Sequence, residues 1–178
     1  RIRYGNDSVT APFVVKSDPN YKQSDAAYQE QVECLLKVRY KCIDNQKAVR
    51  NIRSLRAQIG DVTGKADTAL VKEVKSLTDS INKKLTAIEE ALYQTKAKAG
   101  QDILNYPMRL NDRMASLYNV AASGNNPPTR QVKDAFAELA GETDVQLEKL
   151  RTLMNGEIKD LNKWILDKRV QVISVKER

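Results

Sequence analysis

There is no histidine in this chain. That absence removes the Ser-His-Asp and Cys-His nucleophile arrangements, which need an imidazole to carry the proton, and every histidine-ligated metal site. Cysteine is nearly absent too, with only Cys34 and Cys42. Eight residues apart on a helix, they stand about 12 Å apart along its axis. A disulfide needs Cα atoms within about 7 Å, so the two cannot pair within that helix. They share a similar face and are expected as buried thiols rather than ligands. The 7 glycines are scattered, and none forms a phosphate-cradling loop. Aromatic residues make up only 6%, and they do not interleave with arginine into a stacking platform, which argues against nucleic acid as a partner. No apolar run approaches the roughly 20 residues that span a bilayer. With 5 prolines, 41% apolar and 30% charged residues, the composition suits a folded helical bundle and argues against a disordered chain.

The carboxylates offer no catalytic pair. Glu89 and Glu90 diverge by about 100° on a helix and cannot flank one bond. Glu138 and Glu142, one turn apart, read as an exposed acidic face. No catalytic, cofactor-binding or metal-ligating residue is nominated, and no cofactor or small-molecule substrate is implied. The net charge is +7, from 30 basic and 23 acidic residues. Most of the basic residues alternate with acidic ones, as in Lys72-Glu73 and Lys83-Lys84 before Glu89-Glu90, which marks a solvated surface. Arg50, Arg53 and Arg56, spaced by three, share one helix face. That face is the one candidate for a polyanion, and such binding would fall steeply with salt.

The chain divides at Asp18-Pro19. Ile2 to Tyr4 and Val9 to Val15 are β-like runs around the turn Gly5-Asn6-Asp7-Ser8, whose Gly and Asn suit a tight hairpin. An isolated hairpin is marginal in water. Residues 1–18 therefore read as a β-hairpin, the tail of an upstream β domain, and residues 19–178 as a helical domain. A chain that opens on Arg1 rather than Met fits a piece of something larger. Tyr4, Tyr21 and Tyr28 are expected to pack the hairpin onto the helices. Asn6-Asp7-Ser8 also matches a glycosylation acceptor, a pattern that arises by chance.

Four helices are expected beyond the break. Ser24 caps the first, from Asp25 to Ile59, with an apolar series that includes Tyr28, Val32, Leu35, Leu36, Ile43, Val49 and Ile52. Gly60 is placed at its C-terminus. A second helix, Ala66 to Ala97, carries Leu70, Val74, Leu77, Ile81, Leu85, Ile88 and Leu92, a coiled-coil-like seam. Pro107 suits the first turn of a short third helix with Met108, Leu110, Met114, Leu117 and Tyr118. Thr129 caps a fourth, which continues through Trp164 and Ile165, with Gly141 and Gly156 as possible sites of bending. Trp164 is expected in the core or an interface. Arg169 to Val175 reads as an extended tail. The fold class is mainly α: an antiparallel bundle of about four helices with a short N-terminal β-hairpin. The runner-up is a three-helix bundle whose third segment is a connector.

The order of "FVVKSDPNYKQS", "IRSLRAQI", "RLNDRMASLYNVAASGNNPPT" and "ELAGETDVQLEKL" resembles the C-terminal region of large bacterial proteins with sortilin-like or BNR-repeat β-propellers, often labelled glycosyl hydrolases. The resemblance spans nearly the whole chain. It implies that the upstream β domain is a β-sandwich, the end of an immunoglobulin-like domain followed by a helical bundle, with the propellers upstream. It also implies an exported protein, periplasmic or at the cell surface, and transfers no binding residue. The leading expectation is a non-catalytic accessory domain that meets upstream domains of the same protein or another protein. One alternative is a polyanion-binding domain using Arg50, Arg53 and Arg56. A second is part of a hydrolase-like enzyme whose active site lies upstream.

Overall fold

Two short strands open the structure, a computed structural model that describes residues 1–16, 18–20, 23–67, 70–168 and 170. β1 (Ile2–Tyr4) pairs antiparallel with β2 (Asp7–Val9), setting Ile2 opposite Val9 and Tyr4 opposite Asp7. Gly5 takes φ 59°, the left-handed value that the two-residue turn requires. β2 begins two residues before the expected Val9 and does not extend to Val15. Pro12, which has no N–H to give a ladder, interrupts that run. Tyr4 is 88% exposed, so it does not pin the hairpin to the helices as expected. Tyr28 is half-buried, and Tyr21 lies outside the described residues.

Five helical segments follow: α1 (Asp25–Lys65), α2 (Val71–Leu92), α3 (Leu110–Ala122), α4 (Arg130–Leu153) and α5 (Lys159–Asp167). One wide turn of π-helix, Met154–Ile158, joins α4 to α5 without a break. The mainly-α bundle of four main helices with its N-terminal hairpin is therefore present, α4 and α5 forming the fourth. Ser24 caps α1 by accepting from the Ala27 N–H at 3.2 Å, and Thr129 caps α4 by accepting from the Val132 N–H at 3.3 Å.

Several boundaries differ from expectation. α1 runs through Gly60 and Gly64 to Lys65. Val62 and Ala66 beyond Gly60 pack on the core, and that burial outweighs the roughly 1 kcal/mol that a helical glycine costs. α2 starts at Val71 rather than Ala66 and ends at Leu92 rather than Ala97. Beyond Leu92 the apolar seam stops. The Gln94 side chain instead donates to the Pro107 carbonyl at 2.8 Å and accepts from the Lys96 N–H at 3.2 Å. Pro107 thus belongs to the connector, and α3 begins three residues later. A short 3₁₀ turn, Asp102–Leu104, lies in the same connector. Gly156 falls within the π turn, whereas Gly141 sits in regular helix. The expected tail, Arg169 to Val175, lies outside the described residues except for Val170, whose N–H bonds the Ile165 carbonyl at 3.1 Å.

The helices are arranged by two constant registers. α4 runs parallel to α1: Lys133 meets Glu30 and Lys41 meets Asp144, both at an offset of 103 residues, and Gln23 meets Asn126 just before the two helices at the same offset. α2 and α3 run antiparallel to this pair. α3 lies along its first half, where Gln31 donates to the Ala121 carbonyl and Gln46 to Asn111. α2 lies along the second half, where Arg53 meets Glu89 and Lys84 meets Glu157. The four helices are thus not side by side. α2 and α3 follow one another along the α1–α4 pair, and any one level of the bundle is three helices across.

The core column of α1 is Gln31, Val38, Asn45, Ile52 and Ile59, all buried at steps of seven. This is the coiled-coil repeat, with two polar members. α2 contributes Val74, Thr78, Ile81, Leu85, Ile88 and Leu92, so the seam passes through Thr78 and leaves Leu77 exposed. Thr143 fills the equivalent gap in α4, and its hydroxyl donates to the Leu139 carbonyl at 2.8 Å. Cys34 and Cys42 are free and only half-buried at the edge of the core. Burial pushes the Cys42 thiol above its ordinary pKa.

Candidate functional site: the ion cluster and the unpartnered surfaces

Glu89 stands on the inner side of α2, four residues after Leu85, with its side chain 5% exposed. Its carboxylate accepts from Arg53 Nε at 2.8 Å and from Arg56 at 2.7 Å. Arg56 also donates to the Thr86 hydroxyl at 3.2 Å, and the Arg53 guanidinium lies 5.2 Å from the centre of the Tyr93 ring. Burial pushes Glu89 up, but the hydrogen bonds and charges of the two arginines outweigh it and hold the carboxyl below its ordinary value. Of the predicted polyanion face, Arg53 and Arg56 are therefore committed to tying α1 to α2. Arg50 is exposed.

Several other carboxylates are tied into the surface of the bundle. Arg113 meets Glu142 at 3.1 Å and Glu138 at 3.6 Å, all three being exposed. Trp164 packs partly on the core, and its indole N–H donates to Glu73 at 2.7 Å. That bond, with Lys168 nearby, holds Glu73 below its ordinary value. In the connector, the Asp102 carboxylate accepts from the Ala99 and Lys98 backbone N–H groups and is held low in the same way. Among the described residues there is no group of three or more Cys, Asp or Glu side chains able to hold a metal ion. Among them too, no helix is long and apolar enough to cross a membrane.

Among the described residues, three open apolar surfaces stand out. The first is the hairpin, where Ile2, Tyr4, Val9, Phe13, Val14 and Val15 are all exposed. The second is the outer face of α1, with Val32 53%, Leu36 37% and Tyr40 60% exposed. Val32 and Leu36 were expected in the core. They lie instead on the side of α1 away from the column Gln31, Val38, Asn45. The third is an open groove of ≈ 1060 Å³ between α2 and α4. Its lining includes the small or short residues Ala87, Ala91, Gly141, Val145, Thr152 and Gly156, together with the ion-paired Lys84 and Glu157.

The comparisons with known proteins do not name a relative. No family model matches the chain, and no curated protein or solved structure gives a significant match.

Proposed function

We propose that this chain is a non-catalytic helical accessory domain. It would follow a β-sandwich domain in a larger exported bacterial protein of the β-propeller type its sequence resembles, spacing its neighbours or docking a partner protein. The observation that carries the reading is the hairpin. Strand alternation puts Ile2, Tyr4 and Val9 on one face, with Asp7 beside the turn as its single polar member. Arg3 and Ser8 lie on the other, where Arg1 donates to the Ser8 hydroxyl at 3.2 Å. A mostly apolar face backed by a polar one is the pattern of a sheet half-buried against another layer. Yet the apolar face is exposed, and among the described residues the sheet has two strands only. Two strands do not sustain themselves in water, so the missing layer and neighbouring strands belong to another domain. The helical part shows the complementary property, a closed core of its own from Val38 to Leu161.

Two measurements test this. The chain and a version beginning at Pro19 are expected to have the same helical content and the same melting temperature. Amides of residues 2–9 are expected to exchange rapidly in the chain alone and to be protected in the native protein. Loss of cooperative unfolding on removing residues 1–18, or unprotected strands in the native protein, would overturn the reading.

A further inference from the structure

We infer that two copies of this chain pair through the outer face of α1, antiparallel, with a twofold axis at Leu36. The inference stands independently of the hairpin. At the seven-residue repeat of the core column, the residues on the far side of α1 are Gln29, Leu36 and Arg50, which are exposed, and Ile43, which is half-buried. Val32 and Tyr40 flank Leu36 on either side, so the middle of this face is apolar and exposed. Its ends carry opposite charge. Asp25 and Glu33 lie towards the N-terminus, and Arg39, Lys47 and Arg50 towards the C-terminus. Among the described residues none of these five forms an ion pair within the chain. The one polar contact among them is Gln29 donating to Glu33 at 3.3 Å.

That charge order selects both the partner and its direction. A parallel copy would set acid against acid and base against base. An antiparallel copy sets the acidic end of each helix against the basic end of the other. With Leu36 on the axis, Val32 comes level with Tyr40 of the second copy, Glu33 with its Arg39 and Asp25 with its Lys47. The face is thus complementary to itself, which is what a twofold interface requires. A single 41-residue helix supplies it. The Arg50 of the predicted polyanion face would then sit at the two ends of the dimer seam.

The test is sedimentation equilibrium of the full chain over a concentration series. A monomer–dimer equilibrium is expected. Leu36→Glu, at an exposed position, should abolish the dimer and leave the circular dichroism spectrum unchanged. Glu33→Lys should weaken it about fivefold through its two symmetry-related contacts, and adding Arg39→Glu should restore it. In a Cys34→Ser/Cys42→Ser background, Leu36→Cys should crosslink on mild oxidation. Val32→Cys should not, because its two copies lie about 12 Å apart along the seam. A chain that stays monomeric throughout would overturn the inference, as would a dimer indifferent to Leu36→Glu or one that crosslinks through Val32→Cys.

Discussion

Removing Glu89 and removing its two arginines should have very unequal consequences, although both break the same ion pairs. Glu89→Met deletes two charge-assisted hydrogen bonds, each worth about 1.5–3 kcal/mol when fully sequestered. Arg53 and Arg56 have side chains 54% and 36% exposed, so they regain water and the loss shrinks to about 1–2 kcal/mol in all. Against that, a buried carboxylate no longer has to be dehydrated, and a methionine of similar length buries apolar surface worth about 1.5–3 kcal/mol. The net change is expected within about 1 kcal/mol of zero. The double variant Arg53→Ala/Arg56→Ala leaves the carboxylate buried without a partner, which costs about 3–5 kcal/mol.

The pH dependence sharpens the contrast. In the native chain Glu89 titrates below its ordinary value of 4.5, so its contribution is present above that value and is lost as pH falls through the folded pKa. In the double variant only burial remains, and burial raises the pKa, so the penalty is present at neutral pH and lifts as the group takes up a proton. Urea denaturation from neutral pH down to about pH 4 should therefore show the gap between the native chain and the double variant closing in acid. A gap that does not change with pH, or a Glu89→Met variant less stable than the double variant, would refute the reasoning.

Other outcomes follow from single side chains. Asn45 is 1% exposed, and neither of its amide atoms meets a hydrogen-bonding group among the described residues; Asn45→Leu should raise stability by about 1–3 kcal/mol in urea denaturation. Gly156 has open space where a Cβ would stand, so Gly156→Ala should stabilise by about 0.4–1 kcal/mol, seen as a higher melting temperature. Trp164→Phe removes the indole donor to Glu73, and the Glu73 carboxyl should titrate closer to its ordinary value, measurable by NMR.

The sequence made the helices legible wherever polar caps and leucines act together. Ser24 and Thr129 stand where capping chemistry places them, and the α2 seam is nearly complete in Val74, Ile81, Leu85, Ile88 and Leu92. It misled where core positions are polar. Gln31, Asn45, Thr78 and Thr143 occupy the buried column, so a count of apolar residues steps over them and takes Val32, Leu36 and Leu77 instead. Gln31 is there because its amide serves the Ala121 and Gly124 carbonyls at the end of α3. Gly60 looked like a helix end because its local preference is visible, while the packing of Val62 and Ala66 that overrides it is not. Arg53 and Arg56 looked free because their partner Glu89 lies 36 and 33 residues away in sequence. Its place on the apolar stripe, four after Leu85 and three before Leu92, was the available signal.

The most direct measurement of the central claim is the intact mass and N-terminal sequence of the native protein purified from its source. A domain that follows a β-sandwich in a larger protein gives a mass several-fold above 20.1 kDa, with strand-rich sequence ahead of Arg1. A mature protein close to 20.1 kDa would contradict the account, and the hairpin would then need its missing layer from a separate molecule.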